Sequence, residues 1–287
     1  MINSLRAFEF RQRMRTKLIS KNNLAFLVTI PHSGEKIPSS TPWLKSLPEE
    51  ILMCDVDRYV DRLYEPSLSD LKIPYVKTEW HRYAVDLNRV PEDIDAGTVK
   101  GNKTAEGTHN RGFHWQVTTY NYKLMPEPID PKTHQELTDL IYKPFHESVQ
   151  KIYQQFKAEG APQIYHLDAH SMPSLGTKMH RDPGEKRADI VVSDVSGKSA
   201  GENYVDLVMS SYARAGFKVA YNWPYLGGRV TELYGNPKQG HQALQVELNR
   251  DLYMNETTKK IKDQEADVAR KKIRKALERI IQFLPKL

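Results

Sequence analysis

Several short stretches bring an acid, a base or a donor fork to the end of an apolar run. In Gln163-Ile-Tyr-His-Leu-Asp168-Ala-His170-Ser171 a strand-like run ends in a carboxylate, an imidazole and a hydroxyl, and Met172-Pro173 then breaks it. A second apolar run, Leu24 to Ile30, ends at Pro31-His32-Ser33-Gly34-Glu35. Two carboxylates, Asp55 and Asp57, open a helical pattern, Asn88-Arg89 follows Asp86, and Glu247 sits in the apolar context of Ala243-Leu-Gln-Val-Glu247. Two imidazoles with one carboxylate are the usual ligand set of a hydrolytic zinc site, which keeps a fourth position open. From spacing, the carboxylate is either Glu35 or Asp57. A further glutamate can then take a proton from water while the metal polarises a carbonyl. An Arg following an Asn is a donor fork suited to a carboxylate.

Each of these residues also has a structural reading. His32 can be a loop histidine bonded to backbone, Asp55 or Asp57 can cap the helix, Arg89 can pair with Asp86, and Glu247 can pair with Arg250 or Arg89. Asp61 is expected to pair with Arg58 or another basic neighbour on the helix surface. His146 lies one position off an apolar stripe, at a helix boundary or facing the cleft. No phosphate-binding glycine loop is found in the sequence, which weakens nucleotide chemistry.

The elements that must position these groups alternate. Buried strands are expected at Leu24–Ile30, around Gln163–Ala169, at Ala188–Asp194, Phe217–Asn222 and Ala243–Arg250, with shorter ones at Ile73–Lys77 and Arg82–Asp86. Helices are expected near residues 3–19, from Asp55 to the break at Pro66, over Pro131–Glu159 with a kink or break at Pro144, over Asn203–Arg214, and over about residues 256–284. Trp223–Thr231 reads as a turn followed by a short strand, and Gly112-Phe-His-Trp115 as a pocket wall within a loop-rich stretch. The fold class that follows is α/β: one domain over residues 1–287, with a mixed, largely parallel twisted sheet and helices on both faces.

The chain has 287 residues, 39% hydrophobic and 27% charged, with a net charge of +6. Its basic residues are dispersed among acids, so a nucleic-acid partner is not expected. No apolar run approaches the ~20 residues of a membrane span. Glu9 and Arg11 fall where a signal peptide needs an apolar core, and a cytoplasmic location is the expectation. The single cysteine, Cys54, lies in an apolar patch and reads as a buried, inert thiol. The sequence does not specify an oligomeric state.

Pro31-His-Ser-Gly34, Asp55-Val-Asp-Arg-Tyr-Val-Asp-Arg-Leu-Tyr64, Arg82-Tyr-Ala-Val-Asp-Leu-Asn-Arg89, Asp168-Ala-His-Ser171 and Gly235-Asn-Pro with His241-Gln-Ala-Leu-Gln-Val-Glu247, in that order, resemble the N-formylglutamate amidohydrolase family over roughly residues 24–254. The resemblance implies a fold similar to the zinc carboxypeptidases and aspartoacylases. It implies hydrolysis of an N-acyl amide on a small-molecule amino acid, with N-formyl-L-glutamate giving formate and glutamate. It implies one zinc ion on His32, Asp57 and His170, with Glu35 as the rival third ligand because His32-Ser-Gly-Glu35 reproduces a carboxypeptidase spacing. Glu247 is then the general base, Arg82 the oxyanion stabiliser, and Asp168 a group that orients a ligand. Asn88 and Arg89 hold the substrate carboxylate, with His146 and Thr231 as further substrate-binding candidates. Where the family tends to show Tyr-Ile-Thr-Arg after the paired glycines, this chain has Arg229-Val-Thr231-Glu232, which puts a glutamate side chain on the substrate in doubt. The alternative is a non-catalytic binding protein on the same scaffold, for an acidic ligand or nucleic acid.

Overall fold

The computed structural model describes residues 24–287. Its sheet is built on β1 (Phe26–Ile30), β2 (Tyr75–Lys77), β3 (Ile164–Met172), β4 (Ile190–Ser193), β5 (Val219–Tyr221) and β6 (His241–Asn249), in the spatial order β2-β1-β3-β6-β4-β5. Neighbouring strands run parallel except β4 against β6, which are antiparallel, so β4 and β5 point opposite to the rest. β1 and β3 are buried at every position; the near-continuous apolar sequence of β1 is that of a strand covered on both faces, whereas β3 sets His166, Asp168 and His170 on one of its faces. Register sets Thr29 beside Asp168, Asp168 beside Gln245, and His170 beside Glu247. Because side chains alternate along a strand, these chemistry-bearing residues share one face near the carboxyl ends of the central strands.

The helices are α1 (Glu49–Leu52), α2 (Val60–Asp70), α3 (Pro131–Leu137), α4 (Lys143–Ala158), α5 (Glu202–Arg214), α6 (Arg229–Tyr234) and α7 (Asp263–Phe283). α2, α5 and α7 pack Val60, Leu63, Val208, Tyr212, Ile273 and Leu277 against one face of the sheet. α4, with Phe145, Val149 and Ile152, packs with Tyr83, Leu87 and Trp115 over the other face. The mixed, largely parallel sheet with helices on both faces is therefore as expected.

Several element expectations are corrected. The helix near residues 3–19 lies outside the described residues. The helix expected from Asp55 starts at Val60, after Tyr59 turns the backbone left-handed at φ 70°, so neither aspartate caps it. It also continues through Pro66 to Asp70. A proline frees the carbonyl four residues back, here that of Arg62, and Arg270 of α7 donates Nε–H to that oxygen at 3.2 Å. The division expected at Pro144 is found: a π turn at Thr138–Tyr142, in which Lys143 N–H reaches Thr138 O, separates α3 from α4, and Pro144 stands in the first turn of α4. Arg82–Asp86 is not a strand but a tight turn, closed by Ala84 N–H to His81 O and by Arg89 N–H to Asp86 O. The strand expected after Gly227-Gly228 is helix α6, whose first turn is held by Gly228 N–H donating to Thr231 Oγ1 at 3.3 Å. The carboxy-terminal helix begins at Asp263, because the chain before it folds back in a bridge between Met254 and Ile261. In that fold-back Lys259 O accepts hydrogen bonds from Arg58 Nη1 at 2.8 Å and from Tyr59 Oη at 3.2 Å.

Candidate active site

His32 follows β1 directly, and Asp57 N–H donates to His32 O at 3.0 Å, so the loop carrying the aspartate is tied to the loop carrying the histidine. His170 comes from β3. His32 Nε2 donates to Asp86 Oδ1 at 2.8 Å, and His170 Nε2 donates to Asp168 Oδ2 at 2.7 Å. With each Nε2 engaged, both Nδ1 atoms turn toward Asp57 Oδ2, at 3.6 Å from His32 and 3.0 Å from His170. His32 Nδ1 is buried with no hydrogen-bond partner. Ligand atoms of His32, Asp57 and His170 lie within 4.8 Å of one another, the one such group among the described residues. Three lone-pair donors converging on one buried point, each imidazole backed by a carboxylate, fit a divalent cation with tetrahedral preference.

The electrostatics agree with such a corner. Burial opposes charge on His170, but Asp168, then Asp57 and Glu247, outweigh it and hold the imidazole well above its ordinary range. Burial likewise opposes the Asp57 carboxylate, and bonds from His170 and His32 hold it well below. Asp86, against the same burial, is held low by His32 and Arg82. Burial pushes Glu247 up to about 7, and the pull of His170 in the other direction only limits the rise.

Glu35 is not brought to this corner. Its carboxylate takes Arg58 Nε at 2.8 Å and Nη2 at 3.3 Å. Of the basic neighbours expected for Asp61, the partner is Lys77, at 3.2 Å, rather than Arg58. Arg250 does not pair with Glu247: it donates Nη2 to Asp57 Oδ1 at 3.0 Å and Nη1 to Cys54 O at 2.9 Å. The Cys54 thiol is buried, and burial followed by Asp55 pushes it up to about 12, as expected for an inert cysteine. Asp55 accepts from Tyr83 Oη at 2.8 Å and from Thr119 N at 3.1 Å, which accounts for the second aspartate by a loop anchor rather than a cap.

Asp86 is a hub. Besides His32 it accepts from Arg82 Nη2 at 2.8 Å, Trp115 Nε1 at 2.9 Å and Asn88 N at 2.9 Å. Its cationic partner is thus Arg82, not Arg89. Arg82 also donates Nη1 to Asp55 O at 2.9 Å and lies over the Trp115 ring, while its Nε is buried without a partner. Asn88 accepts Val230 N–H at 2.7 Å at the start of α6. Arg89 donates only to backbone, to Asn88 O at 2.9 Å and to Arg111 O at 3.3 Å.

These groups open on a cavity of about 550 Å³, lined by His32, Asp57, His170, Glu247, Arg82, Asn88 and Arg89 among others. Gly112 and Trp115 line it, as the pocket-wall reading expects, whereas Phe113 and His114 point into the core. His146 and Thr231 are not part of the lining. His146 is buried behind it, accepting from or donating to Tyr234 Oη at 2.9 Å and reaching Leu87 O at 3.3 Å. Thr231 is fully buried under Gly228. Glu232 is outside as well, paired with Arg229 on the surface. Sequence reasoning missed Arg111, Gln245 and Arg250 as cavity residues. Only Gln245 carried a usable signal, since it precedes Glu247 by two and must share its face of the strand.

The sequence profile of the N-formylglutamate amidohydrolase family matches residues 24–254. The chain belongs to that family. The N-formylglutamate deformylase of Pseudomonas aeruginosa is 25% identical over 241 residues, spanning 82% of this chain and 84% of that protein. The N-formylglutamate deformylase of Pseudomonas putida is 26% identical over 241 residues, with 83% and 84% covered. Among solved structures, the N-formylglutamate amidohydrolase of Ralstonia eutropha superposes with a TM-score of 0.80 at 25% identity, covering 96% of this chain and 99% of that one. The match runs through every stretch that lines the corner described above. No helix among the described residues is long and apolar enough to cross a membrane.

Proposed function

We propose that the chain hydrolyses the amide of an N-formyl or related N-acyl amino acid with an acidic side chain, N-formylglutamate-like, using one zinc ion. The observation that carries this is the convergence of His32 Nδ1, His170 Nδ1 and Asp57 Oδ2 beside Glu247 in a cavity that holds unspent cations. Bound by these three residues, zinc supplies Lewis acidity to the acyl carbonyl and to the attacking water. Asp86 and Asp168 fix the imidazoles by holding their Nε2 protons. Glu247 takes a proton from water as its oxygen adds to the acyl carbon, then returns it to the departing amine nitrogen, leaving formate and the free amino acid. Arg82, which lines the cavity, serves the oxygen that gains charge. Asn88 and Arg89 hold the α-carboxylate.

Charge accounting in the cavity supports an acidic side chain. Arg82 and Arg250 are committed to Asp86 and Asp57. Arg89 and Arg111 have no carboxylate partner among the described residues, and both line the cavity. Two guanidinium groups without a carboxylate partner suit a ligand with two carboxylates. The Glu232 departure does not argue against this, because that carboxylate lies outside the cavity on Arg229.

The test is elemental analysis of protein purified without added metal or affinity tag, wild type beside His170→Ala, followed by a screen of N-formyl and N-acyl amino acids. About one zinc per chain, lost in the variant, with turnover of an acidic N-formyl amino acid is the expected result. A wild type that stays metal-free when zinc is offered and turns over nothing overturns the reading in favour of a binding protein.

A further inference from the structure

Glu247 is 6% exposed, yet its carboxylate receives one hydrogen bond among the described residues, from Gln245 Nε2 to Oε1 at 2.8 Å. Its other oxygen has no protein partner and is not among the sealed, unpaired atoms, so it faces the cavity. Gln245 is itself 3% exposed and its Oε1 is sealed with no partner at all. That is a costly way to fill the position: a buried amide oxygen without a donor is unfavourable, and an apolar side chain of equal length would leave no such atom. The half of the amide that has a use is the N–H directed at Glu247. The two residues are i and i+2 on β6, so the strand itself sets their separation, and Gln245 sits across from Asp168 and Ser193, hemmed in on both sides. The donor is therefore as rigid as the sheet.

We infer that Gln245 is a positioning residue for Glu247. Its amide pins one carboxylate oxygen and leaves the other aimed into the cavity in a single orientation. A carboxylate free to rotate about its last bond would present that oxygen to the water only part of the time, and a proton-transferring group is sensitive to such misplacement. This rests on the hydrolase reading above and adds to it a residue that acts through Glu247.

The experiment is steady-state kinetics on the zinc-loaded full chain with an N-formyl amino acid substrate, comparing wild type with Gln245→Met, which keeps the length and removes the N–H. The expected result is a fall in kcat of roughly 10- to 100-fold with KM within about threefold and zinc content and Tm unchanged. Gln245→Asn, which stays polar but is one methylene too short to reach Glu247, is expected to show the same split and covers the case in which the Met variant fails to fold. A kcat within threefold of wild type in a folded variant overturns the inference alone. So does a fall in kcat accompanied by a parallel rise in KM or loss of zinc, since that is general disruption of the site. A wild type without turnover overturns both this inference and the reading on which it rests.

Discussion

Gly228→Ala is a sensitive test of the carboxylate-binding corner. The backbone at Gly228, φ −124° and ψ −173°, is extended and open to any residue, so the whole effect lies in what the new methyl meets. A Cβ built there falls on the Asn88 amide, inside contact distance of Nδ2, 2.5 Å from Cγ and 2.6 Å from Oδ1. Asn88 cannot give way freely, because its Oδ1 holds Val230 N–H at 2.7 Å. Displacing it forfeits that bond, about 1 kcal/mol of stability, and withdraws the Nδ2 donor from the substrate carboxylate, a charge-assisted bond of about 1.5–3 kcal/mol. At about 1.4 kcal/mol per tenfold, kcat/KM should fall roughly 10- to 150-fold. Because the carboxylate is bound in ground and transition states alike, the loss should appear mainly in KM. The assay is steady-state kinetics on zinc-loaded protein with an N-formyl dicarboxylic amino acid. Gly201→Ala serves as control, since a Cβ there meets only Gln242 Oε1 at an ordinary 3.5 Å. A folded Gly228→Ala protein with unchanged KM would refute the assignment of Asn88 to substrate binding.

Other outcomes follow from the same geometry. Glu247→Gln should lower kcat by roughly 10²- to 10⁴-fold while zinc content and Tm hold, and near-wild-type turnover would remove Glu247 from proton transfer. Arg111→Met should raise KM for substrates with an acidic side chain by about tenfold and leave neutral N-acyl amino acids nearly unaffected, as measured on a matched substrate pair. The fold should also weaken in mild acid. His81 is locked neutral, donating Nε2–H to Leu52 O and accepting Tyr83 N–H at Nδ1, and burial lowers it to about 4. Burial lowers His114 to about 3. Both folded values lie below the unfolded 6.5, so their contribution is present above pH 6.5 and is lost as pH falls toward the folded values. By pH 5 the loss is about 2 kcal/mol for each histidine, and a denaturation midpoint that is flat between pH 7 and 5 would contradict it.

The sheet was legible because runs such as Leu24–Ile30 and Ala188–Asp194 are too short for a typical helix and rich in β-branched residues. His32, His170 and Glu247 were legible for the same reason: polar groups of those kinds are conspicuous at the end of a run such as Leu24–Ile30. Local punctuation misled where a distant group changed its meaning. Pro66 reads as a stop until Arg270, far along the chain, takes the carbonyl it frees. Arg82–Asp86 reads as a short strand by its apolar centre, Tyr83-Ala-Val85, but the Asp86 carboxylate draws His32, Arg82, Trp115 and Asn88 around itself and the segment is a turn. Arg111 and Arg250 carried no signal, since a surface arginine and a cavity arginine look alike until the loops are placed.

The bond from Arg58 and Tyr59 to the carbonyl of Lys259 has a reach beyond its size. Those two residues flank Asp57 on its carboxyl side, while Lys259 lies past residue 254, where the family match stops. The family profile thus draws its border inside a packed unit: the stretch that grips the shoulder of Asp57, and the helix α7 that braces α2 beneath it, lie beyond the residues it matches. A chain shortened to the matched region would keep every residue that faces the cavity and would still lose the buttress that sets one of them in place.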